Sequence, residues 1–353
     1  MAEMKFAQSE CPAEVGWTWV WLAAACAALI GITINETLLR IAGHPSTVVS
    51  DADLWALQRS RIDEIEKQGI VLLGASRMQT NVDTQLLREQ CDALPVVQLA
   101  MSGRGSAFPA FQHLVLNSEF QGLVVISETE ATITKSASGQ SDFVDVYSSG
   151  FRLEAQINRK LRNVLEQNLR SVTPYGSSVR LYGNLLLKRD LPAPFHVQTF
   201  PDRSQYTNFD LMDPAILNSI RSQAERITEQ ANKPSSEDVG QWLERVYNNY
   251  ANLVNKFERR GGQVVFVRMP VDEMRWTNEK RNWPPELFWE QLPDILDVPA
   301  IHFTKIENWR SYELEDRSHL NGYERDRFTR QLFRAIRQNL FRGRPAYDCL
   351  REL

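Results

Sequence analysis

The chain has 353 residues, of which 43% are hydrophobic, so it can form a sizeable core and is not an intrinsically disordered protein. It carries 40 lysines and arginines against 44 aspartates and glutamates, a formal net charge of -4 at pH 7. This balance supplies no overall positive field for a nucleic-acid backbone, which argues against nucleic acid as a partner.

An uncharged run of 21 residues extends from Val15 to Asn35. Its length matches the roughly 20 residues that a helix needs to cross the hydrocarbon core of a membrane. Indole rings favour the membrane interface, and tryptophans crowd the start of the run. They are Trp17, Trp19 and Trp21. We therefore predict a transmembrane anchor over residues 15–36, preceded by a cytoplasmic tail of residues 1–14.

A cleaved signal peptide is the alternative interpretation of this run. The leader before it contains one lysine against three glutamates, and no small-x-small cleavage site follows, so the sequence favours the anchor. The charges that flank the run, Lys5 against Arg40 and His44, give only a weak indication of its orientation.

After the anchor, residues 37–68 are predicted to form a membrane-proximal stalk with a polar helix from Asp51 to Lys67, for which Ser50 is a candidate cap. The main domain is predicted to follow over residues 69–345.

Short apolar stretches in this domain are typical of parallel strands buried on both faces. They are Gly69–Leu73, Val96–Ala100, Leu123–Ser127, Gln263–Val267 and Ala300–Phe303. Helical patterns such as Val82–Gln90 and about Tyr323–Gln338 separate or follow them. Strands that alternate with helices predict an α/β fold with a mostly parallel, five-stranded, doubly wound sheet, in which ligands bind beyond the carboxyl ends of the strands.

Between the third and fourth strands lie about 130 residues, more than one crossover helix needs, so we predict a large helical insertion at about 131–260. Its predicted segments are a charged amphipathic helix, a polar loop and a further helix, at Phe151–Ser171, Leu191–Tyr206 and Ala215–Ala231. Ser235 and Asp238 have the spacing of a capping box at the start of another helix, whose apolar face predicts core packing rather than a cofactor box.

The cysteines give no support for a metal site, because no two of the four have the spacing of metal ligands. We predict neither a metal nor a cofactor. Cys26 lies in the apolar run, whereas Cys91 and Cys349 belong to the main domain. Those two could form a disulfide in an oxidising compartment. The alternative is that they are two buried free thiols.

A serine follows the first predicted strand, in the sequence Gly74-Ala75-Ser76-Arg77-Met78. At a strand-to-helix turn its hydroxyl would lie at the carboxyl edge of the sheet, where amide donors can stabilise developing negative charge. Ser76 is therefore a candidate nucleophile. The alternative is that Ser76 only caps the next helix.

A second polar motif, Asp316-Arg317-Ser318-His319-Leu320-Asn321, precedes the last predicted helix. A serine hydroxyl becomes a good nucleophile when an imidazole accepts its proton, and a carboxylate must orient that imidazole. Asp316 and His319 meet this need on one loop, so we predict a triad of Ser76, His319 and Asp316. The alternative is an ordinary surface or core histidine.

These motifs resemble the blocks of the SGNH (GDSL-like) hydrolase superfamily. GASR is similar to its nucleophile turn, SGRG at 102–105 to its oxyanion-hole block, and DRSHLN to its final D-x-x-H block. The resemblance implies a flavodoxin-like three-layer sandwich in which Ser76 is the nucleophile, His319 the general base and Asp316 its orienting partner. It also implies that the amides of Ser76 and Gly103 form part of the oxyanion hole.

The N-terminal anchor and the D-x-SHLN ending more narrowly resemble membrane-anchored SGNH proteins of bacteria. This resemblance implies a serine esterase or O-acyltransferase that acts on an acylated polysaccharide or lipid of the cell envelope. It implies a single-pass protein of the bacterial inner membrane with its main domain in the periplasm. A multi-spanning membrane acyltransferase is an implied partner.

The third block departs from the family pattern, which supplies an asparagine where this chain has Ser127-Glu128-Thr129-Glu130. An ionised carboxylate cannot donate a hydrogen bond to an oxyanion. Residues that could substitute are Thr129, Arg77, Arg104 and Arg268. Arg268 could instead bind an anionic substrate group, pair with Glu128, or form an ion pair that only holds loops. The departure favours a second hypothesis, a non-catalytic binding or assembly protein of the envelope.

Overall fold

A computed structural model describes residues 17–65, 68–91, 94–134, 141–229, 233–307, 309–340, 347 and 349–350. The chain divides into two compact units, which we call the helical unit and the sheet unit. The helical unit comprises Met1–His44 and Leu169–Pro194, and the sheet unit comprises Pro45–Asn168 and Phe195–Leu353. The predicted cytoplasmic tail, residues 1–14, lies outside the described residues.

The helical unit contains α1 (Trp17–Ile41) and α9 (Ser178–Lys188). By length and composition α1 can cross a membrane, a test that a signal sequence also passes. The helix continues beyond the predicted end of the anchor at residue 36. There the Glu36 carboxylate accepts hydrogen bonds from the backbone N–H groups of Arg170 and Ser171, at 3.0 and 2.8 Å.

The sheet unit is built on a five-stranded parallel sheet with the strand order β2-β1-β3-β6-β7. Its strands are β1 (Ile70–Leu73), β2 (Val96–Gln98), β3 (Leu123–Ser127), β6 (Gln263–Arg268) and β7 (Ala300–His302). The predicted α/β class and parallel sheet are confirmed, and no strand end differs from its predicted position by more than two residues.

Two further strands, β4 (Val197–Thr199) and β5 (Gln205–Thr207), pair antiparallel as a hairpin. The sequence predicted only a polar loop over Leu191–Tyr206, and that prediction was wrong. Strands of three residues are too short to show a reliable alternation of polar and apolar side chains.

Helices of the sheet unit precede, separate and follow the strands. They are α2 (Ala52–Glu64), α3 (Ser76–Asn81), α4 (Thr84–Gln90), α5 (Phe108–Leu116), α6 (Glu130–Thr134), α7 (Ser141–Ser148), α8 (Leu153–Asn168), α10 (Pro214–Glu229), α11 (Ser236–Val246), α12 (Asn252–Arg259), α13 (Glu273–Asn282), α14 (Leu292–Leu296) and α15 (Arg325–Leu340).

The core lies on both faces of the sheet. Successive side chains of a strand point to opposite faces, so Val71 and Leu73 of β1 join one apolar cluster, which includes Trp55 of α2. Ile70 and Leu72 join another, which includes helices α3, α4 and α15. Because β1 is covered on both faces, all four of its residues are buried.

The predicted helix Val82–Gln90 corresponds to α4, which begins two residues later at Thr84, and a separate helix, α3, precedes it. α3 begins at Ser76 itself, and Val82 has extended backbone angles that separate it from α4. Asp83 starts α4, because its carboxylate accepts hydrogen bonds from the N–H groups of Gln85 and Leu86 at 2.8 and 2.9 Å.

The polar helix of the predicted stalk is α2, and it packs inside the sheet unit. Asp51 rather than Ser50 caps it, accepting a hydrogen bond from the N–H of Leu54 at 2.9 Å. The Trp55 side chain is fully buried, and its Nε1–H donates to the carbonyl of Leu99 at 2.9 Å. An apolar face at helical spacing therefore makes α2 part of the core.

The capping box at Ser235 is confirmed, with reciprocal hydrogen bonds between Ser235 and Asp238. α11 continues through a π-helical turn, Tyr247–Ala251, into α12. Trp242 and Phe257 on this continuous helix are buried in the core, as its apolar spacing predicts.

Cys91 and Cys349, 258 residues apart in sequence, form a disulfide, so the alternative of two free thiols is wrong. Cys91 follows α4, and Cys349 is flanked by the buried side chains of Tyr347 and Leu350. The bond ties the end of the described chain to the edge of the core that contains α4 and β2.

Reduction of this disulfide is expected to lower the free energy of unfolding by roughly 3 to 5 kcal/mol, because it restores the entropy of a very long open loop to the unfolded chain. Denaturant unfolding of the full chain in detergent, with and without reductant, measures the change. A Cys26→Ser variant should respond to reductant in the same way. An unchanged midpoint after both thiols are shown to be free would contradict the prediction.

Candidate active site

The turn after β1 brings the chain very close to the end of β3. Gly74 has a φ of +148°, and a Cβ built on it would lie 2.9 Å from the carbonyl oxygen and from Cβ of Ser127. Only glycine fits this approach without a shift of the backbone. The turn delivers Ser76 as the first residue of α3, at the carboxyl edge of the sheet.

The structure brings Ser76, His319 and Asp316 into one chain of hydrogen bonds. His319 Nε2 lies 2.7 Å from Ser76 Oγ, and His319 Nδ1 lies 2.6 Å from Asp316 Oδ2. The nitrogen that faces a carboxylate carries the ring proton, which leaves Nε2 to accept the proton of the Ser76 hydroxyl. This is the arrangement in which an imidazole activates a serine.

Asp316 is suited to remain ionised in this position. Burial alone would raise the pKa of its carboxyl, but the charge of His319 and hydrogen bonds from His319 and Ser318 lower that pKa to about 2. The interaction therefore contributes stability at neutral pH that is lost as the pH falls from the ordinary value of 3.8 towards about 2. The ionised carboxylate can stabilise a positively charged His319.

The loop that carries Asp316 and His319 is held by the helix that carries Ser76. Asn81, the last residue of α3, is buried, and its Oδ1 accepts a hydrogen bond from the N–H of Leu320 at 3.2 Å. One short helix thus positions the serine at its start and the histidine loop at its end.

α10 holds the same loop from another side. Arg221 donates to the backbone carbonyl and, at 2.7 Å, to the carboxylate of Glu315. Arg317, which has a left-handed backbone with a φ of +71°, pairs with Glu225 of α10 and with Asp272 at 2.5 Å. Local sequence does not predict these contacts, because the partners lie 45 to 94 residues away.

A further side chain near the triad, His196, was not foreseen. It precedes β4 in the segment predicted as a polar loop, and burial lowers the pKa of its imidazole while the charge of Asp316 raises it. Tyr206 of the same hairpin packs against Gly322, and a Cβ added at Gly322 would lie 2.3 Å from the tyrosine ring. The hairpin therefore belongs to the surroundings of the triad loop.

Backbone donors remain available beside Ser76. Among the described residues, no hydrogen bond engages the N–H groups of Ser76, Arg77 or Gly103. Gly103 is exposed, with a φ of +75°, and the Met101 N–H donates to the carbonyl of Gly74 at 2.9 Å, which ties this loop to the serine turn. Free backbone N–H groups are the usual donors to an oxyanion.

The side chains of Glu128 and Thr129 in the third block form hydrogen bonds with residues outside the triad. Glu128 is buried, and its Oε1 accepts hydrogen bonds from Ser106 Oγ, the Ala107 N–H and the Tyr250 hydroxyl at 2.7, 2.6 and 3.1 Å. Burial raises the pKa of this carboxyl. The Thr129 hydroxyl is hydrogen-bonded to Thr132, 3.1 Å from its Oγ1, whereas Glu128 Oε2 is buried without a hydrogen-bond partner among the described residues.

Arg268 does not pair with Glu128, so that one of the alternatives for Arg268 was wrong. Its guanidinium is 1% exposed and lies between Glu130 and Glu279, with N–O distances of 3.0 and 2.5 Å. Burial would raise the pKa of Glu279, but the charges of Arg268, Arg275 and Arg77 lower it to about 2. The structure corresponds to the alternative in which Arg268 is an ion pair that holds loops, because its donors already have carboxylate partners.

The other two arginines differ in their surroundings. Arg104 is largely exposed and pairs with Asp142 at 2.6 Å. Arg77 makes one hydrogen bond, to the carbonyl of Met269 at 3.4 Å, and burial together with Arg275 and Arg268 lowers the pKa of its guanidinium. Of the three candidates, Arg77 is the one that adjoins Ser76 and keeps unengaged donors.

Within the part of the chain that the structure describes, no group of three or more histidine, cysteine or acidic side chains is arranged to hold a metal ion. A comparison with protein-family models gives no match for this chain, and a comparison with curated proteins gives none either. Its function is therefore argued from the geometry of the triad and its surroundings.

Substitution of Arg268 by glutamine is expected to destabilise the protein by about 3 to 5 kcal/mol, because the buried carboxylate of Glu130 would lose its ion-pair partner and Glu279 would keep only its pair with Arg275. Arg104→Gln is the matched control, since loss of its exposed pair should change stability by less than about 1 kcal/mol. Denaturant unfolding of both variants measures the difference. Equal stability of the two variants would show that Arg268 is not a structural ion pair.

Proposed function

We propose that this protein is a serine esterase or O-acyltransferase of the SGNH (GDSL-like) hydrolase superfamily. It acts on an envelope carbohydrate or lipid ester through an acyl-serine intermediate. The observation that carries the proposal is the continuous hydrogen-bond chain from Asp316 through His319 to Ser76.

The proposed reaction follows from this arrangement. Ser76 Oγ attacks the ester carbonyl while His319 Nε2 accepts its proton, and Asp316 offsets the positive charge that forms on the ring. The tetrahedral intermediate then collapses, the C–O bond breaks, and the leaving alcohol takes the proton from His319. Water or a sugar hydroxyl, deprotonated by His319, next attacks the acyl-serine and releases the acid or the new ester.

Backbone donors are proposed to stabilise the oxyanion. The N–H groups of Ser76 and Gly103 have no other hydrogen-bond partner among the described residues, and Arg77 adds a positive charge next to the nucleophile. Arg77 and Arg104 are the proposed contacts for an anionic part of the substrate. The burial of Arg268 between two carboxylates argues against such a role for it.

The topology supports the family assignment. Counted within the sheet alone, the strand order is 2-1-3-4-5, the order of flavodoxin-like folds. We infer that the sheet unit is a flavodoxin-like three-layer sandwich. Residues at about 131–260 are then an insertion between its third and fourth strands.

The proposed location is the bacterial inner membrane, with α1 as a single anchor and the sheet unit on the periplasmic side. Specific polar contacts favour a retained helix over a cleaved signal peptide, since Glu36 and Asn35 bond residues of the 170–182 segment. The Cys91–Cys349 disulfide favours an oxidising compartment. A multi-spanning membrane acyltransferase is the proposed partner that would supply the acyl group.

A second candidate function is a non-catalytic binding or assembly protein of the envelope that keeps the fold. The observation that favours it is that the third block has no asparagine, and that Glu128 Oε1 and the Thr129 hydroxyl bond other residues. Loss of one oxyanion donor lowers the rate by about 100- to 1000-fold in a serine protease.

A fluorophosphonate probe distinguishes the two functions, because it labels serines that a neighbouring base activates. Labelling of the full chain in detergent is expected to disappear in Ser76→Ala and His319→Ala, and its rate to fall by about 10⁴ in Asp316→Asn. Ser118→Ala is the control, since the Ser118 hydroxyl bonds only the carbonyl of Leu114. A folded wild-type chain that resists labelling would favour the non-catalytic protein.

Substitution of Gly103 by alanine tests the oxyanion role of its N–H. A Cβ there meets nothing within 4 Å, so the fold should persist, but the positive φ is strained for alanine and should displace the N–H. The labelling rate is expected to fall by roughly 10- to 100-fold. Gly43→Ala is a matched control, with a φ of +79° and equal free space. Equal labelling of both variants would remove Gly103 from the oxyanion hole.

A further inference from the structure

Helix α8 has its polar face inward and its apolar face outward. Arg159, Asn163 and Glu166 are buried, whereas the exposed apolar side chains recur at helical spacing and form one stripe along the helix. These are Leu153, Ile157, Leu161, Val164 and Leu165, each between 48% and 69% exposed. The sequence had indicated an amphipathic helix here, but not which face would be covered.

Ion pairs fix this orientation. The Arg159 guanidinium donates to Glu166 and to Asp51, both at 3.1 Å, and to the Val49 carbonyl at 2.9 Å. Arg162, whose side chain is partly exposed, also pairs with Asp51 and Glu166. A roll of α8 that buried the stripe would separate the buried Arg159 guanidinium from Asp51 and from the Val49 carbonyl, and removing the partners of a buried charge is costly. The apolar stripe therefore stays exposed in the isolated protein.

A short stretch of chain connects the end of α1 to Ser46, which contacts the end of α8. Ser46 Oγ donates to the carbonyl of Gln167, in the last turn of α8, at 2.6 Å. Ser46 follows Ile41, the last residue of α1, after five steps along the chain, which span at most about 18 Å. If α1 crosses a membrane, the C-terminal end of α8 is held near the surface of that membrane.

Helix α9, in the helical unit, presents a similar stripe. Val179, Leu186 and Leu187 are 82% to 86% exposed. α9 begins beside Asn35, because Asn35 Nδ2 donates to Ser178 Oγ at 2.8 Å and the Tyr182 hydroxyl donates to Asn35 Oδ1 at 2.6 Å. Asn35 ends the uncharged run of α1, so α9 starts at the level where the hydrocarbon core of a membrane would end.

Basic side chains border both stripes. On and beside α8 they are Arg152, Lys160 and Arg162, and on and beside α9 they are Arg180, Lys188 and Arg189. A helix with exposed leucine and isoleucine and flanking lysine and arginine is typical of helices that lie in the membrane interface and contact anionic lipids. The basic border argues for a lipid headgroup region rather than a second copy of the chain, whose own border would be equally basic.

We propose that α8 and α9 lie in the interface of the leaflet from which α1 emerges, with their apolar stripes among the lipid acyl chains. The protein would then contact the membrane through these two helices as well as through its anchor. This inference rests on the proposed anchor and is independent of the proposed catalysis.

The experiment uses the full chain in vesicles of phosphatidylethanolamine and phosphatidylglycerol that contain a doxyl-labelled phospholipid as quencher. A fluorescent NBD group is attached to single cysteines, with Cys11 and Cys26 otherwise replaced by serine and the disulfide intact. The labelled sites are Leu161→Cys on α8, Leu187→Cys on α9, native Cys26 in α1, and Glu244→Cys on the exposed side of α11 as the control.

Strong quenching is expected at Leu161→Cys, Leu187→Cys and Cys26, several-fold above that at Glu244→Cys. Quenching at Cys26 alone would contradict the proposed interfacial position of α8 and α9 and would still support α1 as an anchor. No quenching at Cys26 would overturn the anchor and this proposal together. Cross-linking between two copies at Leu161→Cys, with no lipid quenching there, would show that a second copy covers α8, which also overturns the proposal. Neither labelled helix residue belongs to the triad, so fluorophosphonate labelling reports separately on catalysis.

Discussion

The parallel pairing of β1 with β3 determines where Ser76 lies. Leu73 is in register with Ile126, and one residue later Gly74 passes over Ser127 in a space that excludes a Cβ. The position of the hydroxyl thus depends on backbone hydrogen bonds and on one glycine, not on side-chain packing that could rearrange. A larger residue at Gly74 would move the turn away from β3, and with it the serine and the start of α3.

α3 links Ser76 to the loop that bears His319. Ser76 begins the helix and Asn81 ends it, and the Asn81 amide oxygen accepts the Leu320 N–H in the loop that bears His319. Two atoms that are 243 residues apart in sequence therefore meet at 2.7 Å through a rigid helix. α10 adds ion pairs to the same loop, which gives this part of the predicted insertion a structural role that its sequence alone does not indicate.

The sequence predicts what is local and periodic. Continuous apolar runs identify the five parallel strands, and the residue types at a strand end and before the last helix identify Ser76, Asp316 and His319 as candidates. The break at Val82 has no such signal, because it depends on Asp83 capping a new helix. The amphipathic pattern of α8 shows two faces, but which one is buried depends on Asp51, more than 100 residues away. The pairing of Arg268 with Glu130 and Glu279 likewise depends on the tertiary structure and not on the local sequence.

Glu128 shows how the departure in the third block fits the rest of the site. Its Oε1 accepts hydrogen bonds from Ser106 and from the Ala107 N–H, immediately after the loop that contains Gly103. The carboxyl thus holds the far end of the loop that offers a backbone donor, while Met101 ties the near end to Gly74. An asparagine in the family pattern would donate to the oxyanion directly. In this chain Glu128 bonds the loop instead, and under the proposed mechanism backbone N–H groups and Arg77 would stabilise the oxyanion.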